Sequence, residues 1–430
     1  MTLTWRAVVL AAVGVPLVLL LPSTGTVLVW ALVCVALCVL DASLAASPRQ
    51  VAVQRDLPPS VRLTEPATST LTLTNVGNRR LRGLVRDAWP PSASAERDRH
   101  TVAVAAGDGA RVRTVLHPTR RGDAVADRVT IRSAGPLGLA GRQASLTVPG
   151  RLRVLPEFAS RRHLPSRLAR LREMDGRAAV QVRGPGTEFD SLREYVIGDD
   201  VRAIDWRASA RRADVVVRTW RPERDRRVLI VLDTGRTSAV RVEDAPRLDA
   251  SIEAALLLGA LATHAGDRVE LLAFDRRVRA RVAGTAGPRL MPALADALAT
   301  TSSQLVETDW PGVVTQVRER LSQRALVVLL TALDASAVER GLLGVAQQLT
   351  SRHQVVLASV ADPETDAIRT ARTDARAVFD AAAAERADLE RSAVAVRLRR
   401  RGVEVVDALP EDLAPRLADT YLALKAAGRL

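Results

Sequence analysis

Val228-Leu229-Ile230-Val231-Leu232-Asp233 runs five apolar residues straight into an aspartate. A strand covered on both faces has this texture, whereas a strand with one wet face alternates apolar and polar residues. Ala325–Leu330 repeats it, and Val269–Phe274 and Val355–Val360 are further strand candidates. Between these runs, Ala245–His264, Arg289–Thr300 and Gly341–Ser351 carry apolar residues at helical spacing. Glu385–Arg400, Val403–Val406 and Leu413–Ala427 then read as helix, strand and helix. Alternating strand and helix predicts an α/β domain over residues 228–430, built on a doubly wound parallel sheet. Ligands of such sheets gather beyond the carboxyl ends of the strands, which directs attention to Asp233 and the loop after Leu330.

Upstream the texture changes. Residues 47–158 alternate in short runs, as in Leu71-Thr72-Leu73-Thr74 and Val112-Arg113-Thr114-Val115, with turn chemistry at Asn75–Asn78, Gly107–Gly109 and Gly135–Gly138. A small β-sandwich accounts for this pattern. Residues 159–227 form a polar, arginine-rich connection, partly helical over Arg161–Arg177.

Residues 1–46 are read as a transmembrane helical hairpin. From Ala7 to Leu40 no side chain is charged, a run of 34 residues, and Pro22-Ser23-Thr24-Gly25 at its middle is turn-forming. One span needs roughly 20 residues and two need roughly 40, so two short spans near 5–21 and 26–42 fit better than a single long one. A cleaved signal peptide fits less well, because the second apolar run follows before a convincing cleavage site. Arg6, Arg49 and Arg55 flank the hairpin while its turn is uncharged, which places both ends and the soluble domains in the cytoplasm, below a cell membrane.

The net charge of +14 is unevenly spread: +1 in residues 1–50, +8 in 51–158, +6 in 159–227 and −1 in 228–430. A sequence pI near 11.2 suggests nucleic acid, but aromatics are only 3% and no basic run is interleaved with stacking residues, which favours membrane or salt-bridge roles. The basic residues are 61 arginines and one lysine, Lys425, five residues from the end. A phosphate-binding loop or a Schiff-base pocket needs a lysine elsewhere. Cys34 and Cys38 both lie in the apolar run, leaving no thiol for a nucleophile or a zinc site in the soluble part. Five scattered histidines lack metal-site spacing, no G-x-S-x-G elbow occurs, and Gly184-Pro185-Gly186 lacks the helix-opening glycine of a nucleotide fingerprint. A non-enzymatic role follows as the expectation.

The densest stretch is Glu188 to Asp225, with nine acids, eight arginines and four of the chain's twelve aromatics. Two readings coexist: an arginine–carboxylate clamp with the aromatics as packing anchors, and a recognition surface, since Trp, Tyr and Arg concentrate where proteins bind. Glu188, Arg193, Tyr195, Asp199, Asp200, Arg202, Asp205, Trp206, Arg207, Ser209 and Arg211 are its candidate interaction residues, with Trp206 as the anchor and Asp205 bracing buried arginines.

The run from Glu188 to Arg211, E-F-D-S-L-R-E-Y-V-I-G-D-D-V-R-A-I-D-W-R-A-S-A-R, resembles the signature of the bacterial family called domain of unknown function 58. The resemblance covers the whole chain: a membrane hairpin, a β-rich segment, the signature, and a domain similar to the von Willebrand factor A fold. It implies association with MoxR-type AAA+ ATPases and with other membrane or von Willebrand factor A-like proteins, hence an adaptor in complex assembly or envelope processes. Metal-binding members of that fold hold Mg²⁺ through D-x-S-x-S, a loop threonine and a later aspartate. Asp233 and Thr237 match, and Thr308 stands for the loop threonine, but Gly235 replaces a serine and Ala332 the last aspartate, with Asp334 two positions out of register. The site therefore reads as degenerate and no cofactor is expected; the alternative is a Mg²⁺-dependent ligand-binding or hydrolytic domain.

Overall fold

The computed structural model describes residues 2–181, 188–197, 199–212, 214–221, 226–333 and 341–430. They form two compact units, Met1–Glu157 and Phe158–Leu430.

The first unit opens with helices α1 (Trp5–Leu20) and α2 (Thr24–Leu44), which fold back on each other through a turn. Ser23 caps α2, its hydroxyl accepting from the Thr26 N–H at 3.1 Å. The two helices approach closely at Gly14, where a Cβ would sit 2.1 Å from the Trp30 indole nitrogen. The Thr24–Gln50 helix is long and apolar enough to cross a membrane; α1 is equally apolar but shorter. Asp41, fully buried near the end of α2, accepts from the backbone N–H groups of Leu137 (2.7 Å), Leu139 (2.7 Å) and Ala140 (2.9 Å). Thr4 donates its N–H to the Leu139 carbonyl (3.0 Å) and its hydroxyl to the Gly138 carbonyl (2.6 Å). Both helix ends are thus tied to one loop of the sandwich that follows.

That sandwich packs two antiparallel sheets. One has the order β1 (Thr2–Leu3), β10 (Ala140–Thr147), β9 (Arg128–Ala134), β5 (Leu81–Asp87), β6 (Arg99–Val104). The other runs β2 (Val51–Asp56), β4 (Ala67–Asn75), β7 (Gly109–Leu116). Alternate residues point inward, so Leu71 and Leu73 of β4 meet Val85, Val104 and Ile131 of the facing sheet. A third ribbon, β3 (Ser60–Arg62), β11 (Arg151–Leu155) and β8 (Gly122–Val125), covers a smaller core around Leu116, Leu152 and Val154. Inside lies a buried ion pair, Arg55 to Asp87 at 2.5 Å. Arg55 is therefore a structural cation, not the surface charge expected of a membrane flank.

The second unit begins with α3 (Leu164–Gln181) and a hairpin of β12 (Glu188–Glu194) and β13 (Val216–Arg221), with α4 (Trp206–Arg212) in its connection. Its main sheet has strands β14 (Arg227–Asp233), β17 (Arg268–Phe274), β18 (Val278–Val282), β19 (Leu326–Leu330), β20 (Gln354–Val360) and β21 (Val403–Ala408). A two-residue ribbon, β15 (Arg241–Val242) and β16 (Ala245–Pro246), precedes the first helix of this sheet. The spatial order is β18-β17-β14-β19-β20-β21. All neighbours are parallel except β17 and β18. The expected all-parallel sheet thus carries one antiparallel edge strand, which follows β17 by a tight turn instead of a helical crossover.

Helices cover both faces of this sheet. Val228, Ile230 and Leu232 pack with α5 (Arg247–His264), α6 (Leu290–Ala299) and the terminal helix, whereas Leu229 and Val231 face α7 (Trp310–Arg320), α8 (Leu342–Thr350) and the last turns of the long helix before β21. Complete burial of leucines such as Leu257 and Leu329 contributes about 1.5–3 kcal/mol each. Besides β18, three helices after β14 depart from the sequence reading. Helix α7 and a short helix, α9 (Pro363–Thr370), were not expected, and the long helix, α10, spans Ala375–Arg399 instead of starting at Glu385. The terminal helix, α11 (Pro410–Ala426), is fixed by Lys425, whose ammonium lies 2.8 Å from Asp267, with both side chains buried.

Candidate functional site

The carboxyl ends of β14, β17 and β19 converge on Asp233, the last residue of β14 and a buried one. Its carboxylate accepts four hydrogen bonds. Thr308, from the loop before α7, donates to Oδ1 at 2.5 Å, and the Gly235 N–H donates to the same oxygen at 2.8 Å. Thr331, the residue after β19, donates to Oδ2 at 2.6 Å, and Thr237 does so at 3.4 Å. Among the described residues no cationic side chain shares the cluster, and burial pushes the Asp233 carboxyl above the ordinary range, the four donors only partly opposing it.

This arrangement does not fit a Mg²⁺ ion. The cation wants about six oxygen ligands including several waters, but the space bounded by Asp233, Phe274, Thr308, Trp310 and Thr331 has no room for a water molecule. A Cβ on residue 235 would lie 2.2 Å from Thr308 Oγ1 and 3.0 Å from Asp233 Oδ1. The threonine hydroxyl thus fills the volume that a serine at 235 would need. Ala332 is buried and Asp334 lies outside the described residues. Among the described residues no group of three His, Cys, Asp or Glu side chains is placed to hold a metal.

Two members of this cluster were missed from sequence. Thr331 was passed over for the alanine beside it, although a hydroxyl one residue beyond a buried strand is a signal in its own right. The other is Asp275, just past β17, which accepts from Arg279 Nε (2.6 Å), Thr234 Oγ1 (3.0 Å) and the Arg276 N–H (2.5 Å). Burial works against its ionisation, but Arg279 and the backbone donors outweigh it and hold the carboxyl below the usual range.

The two aspartates therefore respond oppositely to pH. A carboxyl with a raised folded-state pKa contributes stability below its unfolded value and loses it as pH rises through the folded one. Asp233→Asn removes that loss. Urea midpoints of wild type and Asp233→Asn, compared from pH 4 to pH 8, should shift in the variant's favour as pH rises; a pH-independent difference would contradict the raised pKa.

The signature segment is organised by its acids. Asp199 receives Arg193 through both terminal nitrogens, at 2.7 and 2.6 Å, and the Val196 N–H at 3.0 Å. Asp200 accepts from the Arg202 N–H at 2.9 Å, opening a short 3₁₀ turn at Val201–Ala203. Asp205 stands ahead of α4 and accepts from the N–H groups of Arg207 (3.1 Å) and Ala208 (3.0 Å) and from Arg218 Nε (2.8 Å). The Ala208 N–H and the Arg218 guanidinium hold its carboxyl below the ordinary range. Ser209 links α4 to β13, donating to the Asp205 carbonyl (2.8 Å) and accepting from the Val216 N–H (2.9 Å). Tyr195 is half-buried, its N–H donating to the Val215 carbonyl, and Glu188 is opposite Arg221 in register.

Two expectations are corrected here. Trp206 is no packing anchor: it is 69% exposed, because Asp205 uses the start of α4 as a cap and the first helical side chain is turned outward. The arginine braced by Asp205 is not buried either, since the Arg218 side chain is 47% exposed. Asp199, Asp200 and Asp205 are spent on internal bonds, while Arg202, Arg207 and Arg211 are exposed, as are Ile197, 96% exposed, and Val201.

Residues 191–405, half of the chain, match the family described as Protein of unknown function DUF58. The chain belongs to that family. Its DUF58 region begins within β12 and ends within β21, so it takes in all but the start of the signature hairpin and all but the end of the six-stranded sheet. Similar relatives are Uncharacterized protein Rv1480 of Mycobacterium tuberculosis and Uncharacterized protein Mb1516 of Mycobacterium bovis, each 25% identical over 185 residues, covering 42% of this chain. The chain matches 57% of the length of these relatives. Among solved structures, the CARDB domain of the PF1109 protein from Pyrococcus furiosus is 15% identical with a TM-score of 0.17, covering 23% of this chain and 91% of that domain. A β-glucosidase from Listeria innocua has the same identity and TM-score over 24% of this DUF58 chain and 16% of its own. Likenesses at that score carry no functional information.

Proposed function

We propose that this DUF58 protein is a non-enzymatic, membrane-anchored adaptor whose signature hairpin docks a cytoplasmic partner, a MoxR-type AAA+ ATPase by family resemblance. The observation that carries the reading is the division of labour in the hairpin. Asp199, Asp200 and Asp205 hold the backbone in shape, and the exposed residues include Trp206, Ile197 and Val201 with the arginines 202, 207 and 211. Exposed tryptophan and arginine on a braced scaffold are what protein interfaces use as anchors. The α/β unit, a parallel sheet with one antiparallel edge, is in keeping with a von Willebrand factor A-like domain serving as the platform. Helices α1 and α2 supply the membrane anchor as two spans, with Arg6 and Arg49 at the cytoplasmic end. The metal-dependent alternative is weaker, because three hydroxyls and the Gly235 N–H already engage Asp233 and Thr308 occupies the volume of the missing serine.

Detergent co-purification from native membranes, read by mass spectrometry, tests this. An AAA+ ATPase is expected with wild type, and Trp206→Ala should lower its recovery by about ten-fold or more, as removal of an interface tryptophan does. The exposed position predicts an unchanged melting temperature for this variant. An ATPase retained equally by Trp206→Ala would move the contact away from the hairpin, and no ATPase with either protein would remove the adaptor reading.

A further inference from the structure

The first half of the anchor is short for a bilayer. Helix α1 has 16 residues, about 24 Å at 1.5 Å per residue, against a hydrocarbon core of about 30 Å. A short span is accommodated by thinning the bilayer or by drawing flanking structure into the interface. The flanking structure here is rigid. Asp41 is bonded to three backbone N–H groups of residues 137–140, Thr4 is bonded to two carbonyls of the same loop, and Arg79 donates to the Ser43 carbonyl at the end of α2. A Cβ on Gly135 would lie 2.3 Å from Asp41, so the loop closes on the carboxylate without a gap. Whatever draws the helices inward therefore draws two sandwich loops with them: the turn at 76–80 and the loop at 135–139.

Those loops and the start of the chain are suited to that layer. Trp5 (72% exposed), Val76 (68%) and Leu137 (49%) project around the root of the hairpin. Arg6, Arg79 and Arg80 are exposed among them, and residues 2–6, 76–80 and 135–139 contain no acid. An interfacial tryptophan, aliphatic side chains and arginines without acids are complementary to acyl-chain ends beneath anionic phosphates.

We propose that the 76–80 turn, the 135–139 loop and the Trp5-Arg6 start of α1 form a collar that binds anionic phospholipid headgroups, seating the β-sandwich in the membrane interface. The collar rests on the reading of α1 and α2 as membrane spans, and its test separates the two. The full chain, with Cys34→Ala and Cys38→Ala, is placed in nanodiscs of phosphatidylcholine with or without phosphatidylglycerol. A nitroxide is attached through Leu137→Cys or, as the span control, Val13→Cys, and its accessibility to oxygen and to a water-soluble nickel chelate is measured. The Val13 label should lie in the hydrocarbon, and the Leu137 label at the headgroup boundary, deeper with phosphatidylglycerol present. In the Arg6→Gln, Arg80→Gln variant, which leaves the Arg79–Ser43 bond intact, that deepening should disappear. A Val13 label in lipid with a Leu137 label in water overturns the collar alone. A Val13 label in water overturns the spans and the collar together, and a Leu137 depth independent of phosphatidylglycerol overturns the preference for anionic lipid.

Discussion

Replacing Asp87 by alanine should destabilise the Met1–Glu157 unit by about 3–5 kcal/mol, the penalty for stranding a buried charge. Arg55 and Asp87 have side chains 1% and 0% exposed, so water cannot take over from the lost partner. Asp87 also accepts from Ser69 Oγ at 2.9 Å and Trp89 Nε1 at 2.8 Å, and its loss leaves those donors unsatisfied as well. The guanidinium keeps only the Val148 and Ala126 carbonyls and the face of Trp89, 5.3 Å from the ring centre. Hydrogen exchange of the full chain in detergent should show β2 and β5 amides opening more readily in Asp87→Ala, with the amides of the α/β unit unchanged. The pair Arg55→Met, Asp87→Leu should recover much of the loss, because removing both charges also removes their desolvation cost. A single variant as stable as wild type would mean that the pair contributes nothing to this core.

Lys425→Ala should cost a similar amount, about 3–5 kcal/mol, on the same physical ground. Asp267 is buried and takes two donors, the Tyr421 hydroxyl at 2.5 Å and the Lys425 ammonium at 2.8 Å. The ammonium also donates to the Ala265 carbonyl at the end of α5, at 3.3 Å, where a cation is favoured by the helix dipole. Removing it leaves a carboxylate in the interior with one neutral donor and undoes the tie between α11 and the α5–β17 turn. Urea unfolding of the full chain should show a lowered midpoint, recovered by Lys425→Met with Asp267→Leu. Lys425→Arg is expected to recover little, because a planar guanidinium cannot converge on Asp267, Tyr421 and Ala265 as a compact ammonium does.

What sequence could and could not reveal follows from where the constraint lies. Strands β14 and β19 were legible because burial on both faces disfavours polar residues, and β20 largely follows the same rule, with Gln354 and Ser359 as its buried exceptions. The sandwich was legible for the complementary reason, a period of two broken by Gly and Asn. Helix α7 was hidden by its start: Trp310-Pro311-Gly312 reads as a turn, and only the Asp309 cap, accepting from the Gly312 N–H at 3.1 Å, makes it a helix. The first half of α10 was hidden because its bulky apolar side chains, Val378 and Phe379, are exposed instead of lining a core, while Arg369 of α9 lies near Glu385 and Asp388.

At the site, Asp233, Thr237 and Thr308 follow from the resemblance to the A-type metal motif, as does the hydroxyl missing at Gly235. That Thr308 takes up the missing volume is a three-dimensional fact with no trace in the order of residues. Trp206 shows the opposite limit. An aromatic amid charges suggests a buried anchor, and only the choice of Asp205 as helix cap turns it to the surface.

The lone lysine has a practical corollary. With 61 arginines and a single ε-amine in the chain, acylating labels, amine cross-linkers and enzymes that tag lysines have one side-chain address, and that side chain is only 9% exposed. Folded protein should therefore resist all of them at its side chains, and acylation at Lys425 becomes a stopwatch for the release of α11. A protease that cuts after lysine has the same single target, so removal of the last five residues reports the same opening from the other side of the peptide bond.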